Sequence, residues 1–361
     1  MSKYWNNRTK KTIPYIPGEQ PKDRKIIKLN TNENPYPPSP KVIKAIQKAA
    51  NDRLRLYPDP ECIEFRKAVA ARYGVKIEQV FAGNGSDEIL GFAFGGFFES
   101  GTQARPILFP DITYSFYPVY ANLWDIPYRT IPLREDFSID CEDYKAPCGG
   151  VVFPNPNAPT GMSVPLAGIL ELAKYLEEQE KILIVDEAYI AFGSANQSAV
   201  SHIEKFPNLL TVHTLSKSES LAGLRTGFAI GNEVLIEGLC RIRDSFNSYT
   251  LDRLAIAGAS AALADTRYYN EINNRVINTK ERVAQVLRGL DFQVLPSSAN
   301  FLFIKPPTGN GKEFFAALRE KGILVRYFSK DRTADFLRVS IGTDEDMDKF
   351  LKSCKEILGT Q

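Results

Sequence analysis

The residue types best suited to chemistry lie in one segment, Thr214-Leu215-Ser216-Lys217-Ser218, with Arg225 eight residues after the lysine. The segment follows a β-rich run over residues 209–214, and a second apolar run begins at Phe228. A lysine at the end of a buried strand must be paired, lose its proton or be used covalently, because burying an unpaired charge is costly. The covalent use is a Schiff base to an aldehyde cofactor, whose phosphate Arg225 and the serines would bind. The alternative is a turn that carries a solvated lysine.

Three other polar motifs follow predicted strands, and in a parallel α/β sheet ligands bind beyond the carboxyl ends of the strands. Gly83-Asn84-Gly85-Ser86-Asp87 joins a strand to a helix, where glycines and free first-turn amides can hold an anion. Asn155 and Asn157 stand in a turn fixed by three prolines. Asp186 ends the most apolar strand and could pair with a protonated pyridine nitrogen, with Tyr189 near the same ring.

Each motif alone could be structural: a strand-to-helix turn, an asparagine turn, a capping aspartate or a solvated lysine. Together they supply an anion-binding loop, an amide, a carboxylate, a lysine and an arginine, in the order that pyridoxal 5'-phosphate requires. We therefore interpret the set as a pyridoxal-phosphate site at the carboxyl ends of the strands.

The composition narrows the class of protein. The chain has 361 residues, which predicts about two domains, and its net charge of +2 argues against nucleic-acid binding. No apolar run reaches the ~18 residues of a membrane span, and we expect no secretory signal. Five scattered cysteines indicate reduced thiols in a cytoplasmic protein. The sequence has two histidines, which supply very few ligands for a histidine-based metal site and very few candidate bases for a catalytic triad.

Strands and helices alternate through the middle of the sequence, and the strands are unbroken runs of valine, isoleucine and leucine. This pattern predicts a large α/β domain over residues 36–252, with a mostly parallel sheet covered by helices. Two of its helices are expected over residues 87–98 and 113–123. A smaller α+β domain is expected over residues 253–361. Residues 1–35 are predicted to form an arm that packs with the small domain.

The order of these motifs resembles the fold-type I pyridoxal-phosphate aminotransferases of class I/II, and within them the histidinol-phosphate aminotransferases. The resemblance runs from about Tyr15 to the C-terminus. Its most specific segments are Asn32-Glu33-Asn34-Pro35, Tyr57-Pro58-Asp59, residues 83–88, 155–161 and 185–189, residues 214–217 with Arg225, and residues 337–343.

The resemblance implies a role for each site residue. Lys217 would carry the cofactor and move the substrate proton, Asp186 would pair with the pyridinium nitrogen, and Tyr189 and Asn157 would bind the ring oxygen. The other implied cofactor-binding residues are Gly85, Ser86, Asp87, Tyr114, which stacks on the ring, Thr214, Ser216, Arg225, and Tyr57 from the other subunit of a homodimer. The implied substrate-binding residues are Tyr15, Asn34, Arg326 and Arg338, the last on the donor carboxylate.

The implied reaction is transamination between a small-molecule amino donor and a keto acceptor. It would convert L-histidinol phosphate and 2-oxoglutarate to imidazole acetol phosphate and L-glutamate, in histidine biosynthesis. Three other interpretations stay open: an aromatic aminotransferase, a threonine-phosphate decarboxylase, which needs no keto acceptor, and a non-enzymatic sensor module. The N-terminal arm is too short and proline-rich for the DNA-binding helix pair that a sensor regulator would need.

Overall fold

The computed structural model describes residues 2–21, 26–193 and 198–359, which form a helix-covered sheet and a second, smaller sheet. The helices are α1 Asn7–Lys11, α2 Pro40–Ala49, α3 Ile63–Tyr73, α4 Gly85–Phe97, α5 Tyr117–Trp124, α6 Leu166–Glu177, α7 Glu233–Phe246, α8 Arg253–Ala264, α9 Thr266–Gly289, α10 Gly311–Glu320 and α11 Asp344–Leu358. The strands are β1 Ile27–Lys28, β2 Val80–Gly83, β3 Ile107–Pro110, β4 Tyr128–Ile131, β5 Val151–Pro154, β6 Leu183–Asp186, β7 Leu209–Thr214, β8 Gly227–Gly231, β9 Gln293–Val294, β10 Phe301–Lys305, β11 Ile323–Leu324, β12 Arg326–Tyr327 and β13 Leu337–Ser340.

Within the described ranges, the large sheet has seven strands in the order β2-β8-β7-β6-β5-β3-β4. The neighbours from β7 to β4 pair in parallel, whereas β8 is antiparallel to both β7 and β2. The prediction of a mostly parallel sheet is therefore confirmed. Parallel pairing brings the carboxyl ends of β5, β6 and β7 to one edge, where the polar motifs follow them.

The apolar runs of this sheet are buried on both faces. Every residue of β5, β6 and β7 is buried, and alternate side chains of a strand point to opposite faces. Val151 and Phe153 pack with α6, whereas Val152 packs with α4, α5 and α7. The two apolar layers keep the sheet rigid beneath the site.

A second sheet lies in the C-terminal part of the chain, with the strand order β12-β13-β10-β9 and antiparallel pairing. The N-terminal arm joins this part, because β1 pairs with β11 in parallel. Helix α8 packs against α2 and α3. The domain boundaries near residues 35 and 252 stay a prediction. None of the helices in the described ranges has the length and apolarity needed to cross a membrane.

Two helices begin elsewhere than the sequence indicated. Helix α4 begins at Gly85, two residues before the expected Asp87, so the glycine lies in the first turn. Helix α5 begins at Tyr117 rather than at residue 113, with Pro118 in its first turn, as is typical of a helix start. Residues 113–116 therefore form a loop, and this loop places Tyr114 beside α4.

Candidate active site

A cavity of about 270 Å³ lies beyond the carboxyl ends of β6 and β7. It collects residues that are far apart in the sequence, because the parallel strands end at the same edge. The predicted cofactor residues among its lining are Ser86, Asp87, Tyr114, Asp186, Tyr189, Thr214, Ser216, Lys217 and Arg225.

Lys217 follows β7 and its side chain is half-buried in this cavity. Its Nζ donates a hydrogen bond to the Thr31 carbonyl oxygen at 3.2 Å and lies 5.8 Å from the centre of the Tyr189 ring. No carboxylate forms an ion pair with Lys217 in the described part of the chain. The amine is therefore held beside the cavity by one neutral partner, which leaves it available for covalent chemistry.

Asp186 is the last residue of β6 and is 4% exposed. Burial raises the pKa of Asp186 to about 7, although hydrogen bonds from the Ala188 amide and the Tyr117 hydroxyl oppose this shift. These two donors lie 3.2 Å and 3.3 Å from the carboxylate oxygens. Among the described residues Asp186 forms no ion pair, although Lys217 lines the same cavity and its charge acts to lower the pKa of Asp186.

The opposite end of the cavity is rich in hydrogen-bond donors. Helix α4 begins at Gly85, so the free amides of its first turn are close to Arg225 and Ser216. Arg225 donates from Nη2 to Asp87 at 3.0 Å and from Nη1 to Ser216 Oγ at 3.4 Å. Thr214 Oγ1 donates to the same Ser216 oxygen at 2.9 Å. Amides, hydroxyls and a guanidinium thus converge as they would around a phosphate.

These residues fit pyridoxal phosphate. Gly85 has a φ of +77°, and a Cβ at this position would lie 2.8 Å from Arg225 Nη2. A Cβ at Gly227 would lie 2.7 Å from the Ser86 nitrogen, so both glycines keep the donor cradle open. The carboxylate of Asp186 forms no ion pair among the described residues, and a protonated ring nitrogen would be a partner for it. Lys217 supplies an amine in the same cavity.

Two phenols border the cavity. Tyr114 Oη donates to Asp87 Oδ1 at 2.6 Å, and burial together with the nearby Asp87 charge holds the pKa of Tyr114 well above its usual range. Tyr189 packs edge-on against Phe301 with ring centres 5.2 Å apart, and its hydroxyl accepts a hydrogen bond from Asn32. Both side chains are therefore held by neighbours at the wall of the cavity.

A second cavity, of about 740 Å³, adjoins the first and shares Tyr114 and Ala158 with it. The predicted substrate residues Tyr15, Arg326 and Arg338 line it. The two arginines face each other across β12 and β13.

Arg338 lacks an anionic partner. Its Nη2 donates to the Asn30 carbonyl oxygen at 2.8 Å, and its Nε is buried with no hydrogen-bond partner. Burial lowers the pKa of Arg338, and the charge of Arg326 acts in the same direction. Neither arginine forms an ion pair within residues 2–21, 26–193 and 198–359. The two guanidiniums therefore mark this cavity as a place for an anionic ligand.

Two predicted site residues use their amides elsewhere. Asn157 is buried, and its Nδ2 donates to the Ile112 carbonyl at 3.0 Å and to Thr160 Oγ1 at 3.1 Å. Asn34 donates to the Lys217 carbonyl oxygen at 3.1 Å, so it fixes the backbone of the lysine and does not line either cavity. Their direct contacts with cofactor and substrate stay predictions.

Tyr57 lies outside both cavities. It is 78% exposed and stacks on Tyr249, with ring centres 4.7 Å apart. Its predicted role requires a second subunit and also stays a prediction.

Sequence reasoning assigned no role to Asn32 or Tyr117, although both touch site residues. Tyr117 contacts Asp186 and lies in α5, where its spacing resembles that of an ordinary core residue. Asn32 contacts Tyr189 and stands in the Asn-Glu-Asn-Pro motif, which was the available signal.

The chain is similar to known proteins over nearly its whole length. Residues 24–353 match the family model for aminotransferase class I and II. The chain is 52% identical to histidinol-phosphate aminotransferases of Clostridium acetobutylicum (strain ATCC 824) and Clostridium botulinum (strain Langeland). The alignments cover 99% of this chain and 100% and 99% of those proteins.

Solved structures show the same fold. The crystal structure of histidinol-phosphate aminotransferase from Sinorhizobium meliloti in complex with pyridoxal-5'-phosphate has a TM-score of 0.83 and 25% identity, covering 93% of this chain and 92% of that one. A crystal structure of the histidinol-phosphate aminotransferase from Clostridium acetobutylicum has a TM-score of 0.85 at 24% identity, covering 92% and 99%. The chain therefore belongs to the class I and II aminotransferases, a family of enzymes whose cofactor is pyridoxal phosphate.

Proposed function

We propose that the protein transfers the amino group of L-histidinol phosphate to 2-oxoglutarate, giving imidazole acetol phosphate and L-glutamate, in cytoplasmic histidine biosynthesis. Relatives that share about half of its residues bear the name histidinol-phosphate aminotransferase. The observation that carries the proposal is the pair of arginines, Arg326 and Arg338, which form no ion pair among the described residues. They line a cavity that adjoins the one lined by Lys217. Substrates with a phosphate or two carboxylates would supply those anions.

Three groups would hold the cofactor. Lys217 would bind it through Nζ, Asp186 would pair with its ring nitrogen, and the amides at the start of α4 with Ser216 and Arg225 would bind its phosphate. When bound, pyridoxal phosphate supplies the electron sink that stabilises negative charge at the substrate α-carbon. Beside a cationic nitrogen the Asp186 carboxyl would ionise, because an opposite charge favours the charged form.

The chain itself would supply the proton transfer. Lys217 Nζ is the amine that lines the first cavity, and in its free form it would take the proton from the substrate α-carbon. Asn34 holds the lysine backbone through the carbonyl oxygen, so the side chain starts from a fixed point. The two half-reactions would share this site, so the first product must leave before the second substrate enters.

The arginines would orient the substrate. Glutamate carries two carboxylates, and histidinol phosphate carries a phosphate but no carboxylate. We infer that Arg338, whose Nε lacks a partner, binds the carboxylate of glutamate, and that Arg326 binds the distal anion. A guanidinium suits both anions because it donates two parallel hydrogen bonds.

We also infer a homodimer in which Tyr57 reaches the phosphate of the other subunit. The support is a set of exposed large apolar side chains that includes Tyr57 and the Tyr249 ring stacked on it, and that a second copy would cover. The exposed members are Leu54, Leu56, Tyr57, Phe246 and Tyr249. The small domain over residues 253–361 and the arm over residues 1–35 would close the substrate cavity against the large domain.

The test is a panel of amino donors with purified protein, pyridoxal phosphate and 2-oxoglutarate, scored by glutamate formed. We expect histidinol phosphate to exceed histidinol and the aromatic amino acids in kcat/KM. Lys217→Ala is the inactive control. A preference for an aromatic amino acid would favour the aromatic aminotransferases. Release of carbon dioxide from threonine phosphate without a keto acceptor would favour the decarboxylase. Cofactor binding without turnover of any donor would favour the sensor.

A further inference from the structure

Asn32 forms a buried bridge between the C-terminal sheet and Tyr189. It is 1% exposed and adopts a left-handed backbone conformation with a φ of 56°. Its Nδ2 donates to the hydroxyl of Tyr189 at 3.0 Å. Ser340 Oγ, at the end of β13, donates to Asn32 Oδ1 at 2.8 Å, and Asn300 Nδ2 donates to the Asn32 carbonyl oxygen at 3.0 Å. The side-chain oxygen, the side-chain nitrogen and the backbone carbonyl of Asn32 each form a hydrogen bond.

The donor and acceptor roles of Ser340 fix which end of the Asn32 side-chain amide faces Tyr189. Ser340 Oγ accepts the backbone N–H of Asn32 at 2.8 Å, so its hydroxyl hydrogen is free to donate to Asn32 Oδ1. The amide nitrogen of Asn32 then faces Tyr189. A phenol oxygen that accepts a hydrogen bond keeps its own hydrogen for another acceptor.

The hydrogen of Tyr189 has no acceptor among the described residues, because the bond from Asn32 is the one hydrogen bond of this hydroxyl there. Tyr189 lines the cavity beside Lys217 and Asp186. The hydroxyl hydrogen of Tyr189 is therefore available to a ligand in that cavity. A ligand with a hydrogen-bond acceptor there would satisfy this donor. The proposed function places the ring oxygen of pyridoxal phosphate in this role.

We propose that Asn32 is a positioning residue that sets the direction of the Tyr189 hydroxyl, so that Tyr189 donates to the ring oxygen of the cofactor. This inference rests on the proposed function. The same strand, β13, carries Ser340, which anchors Asn32, and Arg338, which lines the substrate cavity. The residue that orients the phenol is thus fixed to the strand that binds the substrate.

The proposal has a spectroscopic consequence. A hydrogen bond from Tyr189 stabilises the ionised ring oxygen, so it lowers the pH at which the visible absorbance of the bound cofactor changes. Tyr189→Phe removes this donor and is expected to raise that midpoint by about one to two pH units. Asn32→Gly, which suits the left-handed backbone, frees the phenol to rotate and is expected to raise it by roughly half as much.

The decisive experiment is a double-mutant cycle with this absorbance midpoint as the readout. In the Tyr189→Phe background, Asn32→Gly is expected to cause no further shift, because Asn32 then has no hydroxyl to orient. If Asn32→Gly shifts the midpoint equally with Tyr or Phe at position 189, or leaves the wild-type midpoint unchanged, the proposal is overturned. A general structural role would persist in the Tyr189→Phe background, so the cycle separates the two explanations.

Ser340→Ala provides a second route if Asn32→Gly does not fold. It removes the donor to Asn32 Oδ1, so the amide is free to turn, and a smaller shift of the same sign is expected, again absent in Tyr189→Phe. A shift from Ser340→Ala that persists in Tyr189→Phe would contradict the proposal. Failure of the proposed reaction would appear separately, as a wild type that binds the cofactor but does not transaminate histidinol phosphate. A wild type that takes up no cofactor would overturn both.

Discussion

Asp186→Asn is expected to stabilise the cofactor-free protein while it weakens cofactor binding. The carboxylate is buried at the end of β6, and its two hydrogen-bond donors, the Ala188 amide and the Tyr117 hydroxyl, are neutral. Burial raises its pKa from 3.8 to about 7, and the nearby charges of Asp87 and Lys217 act in opposite directions on it. Because the folded-state value lies above the unfolded one, the native state binds more protons across this interval. The free energy of unfolding therefore falls as the pH rises from about 4 to about 7.

The magnitude follows from the two pKa values. The ionised Asp186 destabilises the cofactor-free fold by about 2 kcal/mol at pH 5 and by about 4 kcal/mol at pH 8. An asparagine amide does not titrate, so the advantage of Asp186→Asn over wild type should be larger at pH 8 by about 2–3 kcal/mol. This difference between two pH values cancels any constant effect of the substitution itself.

The assay is urea unfolding of the cofactor-free protein at pH 5 and pH 8, at one fixed protein concentration. Asp52→Asn, which replaces an exposed aspartate, is the matched control and should show little difference between the two pH values. In the same variants, absorbance titration with pyridoxal phosphate should show weaker binding for Asp186→Asn alone. An advantage of Asp186→Asn that does not grow with pH, or undiminished cofactor affinity, would refute the account of this carboxylate.

Arg326→Ala should raise the KM for histidinol phosphate by about tenfold to a hundredfold, the effect of losing one charge-assisted contact, and Arg326→Lys should recover part of the loss. If Arg326→Ala handicaps histidinol and histidinol phosphate equally, Arg326 does not bind the phosphate. The protein should sediment as a homodimer, and Tyr57→Phe should weaken cofactor binding without dissociating the dimer. A fully active monomer at low concentration would exclude shared sites. Gly85→Ala should weaken cofactor binding by about tenfold, because its Cβ would meet Arg225. Gly74→Ala has a similar positive φ but open space around its Cβ, so cofactor affinity should be unchanged.

The sequence predicted which residues lie around the first cavity because the sheet is mostly parallel. Motifs that follow strands of such a sheet are expected at one edge, so Asp186, Lys217 and the residues that became the first turn of α4 could be brought together without a structure. The facing arginines were also predictable, since each interrupts an apolar strand of the small sheet.

Other features depend on contacts that the sequence does not display. Strand direction is one example, because β8 has the same apolar pattern as its parallel neighbours but runs antiparallel. The Asn-Glu-Asn-Pro motif is another. Asn34 and Asn32 are both polar turn formers, yet the left-handed backbone at Asn32 turns it towards Tyr189 while Asn34 binds the Lys217 backbone. The local turn preference of asparagine does not distinguish these two side-chain orientations, because residues distant in the sequence determine them.

The most direct test of the account is to identify the residue that carries the cofactor. The purified protein is loaded with pyridoxal phosphate, reduced with borohydride and digested, and the labelled peptide is located by mass spectrometry. We expect one label per chain, on Lys217, and none at this position in Lys217→Ala, which should retain its fold but lose turnover. A label on a different lysine, or full turnover by Lys217→Ala, would contradict the assignment of this site.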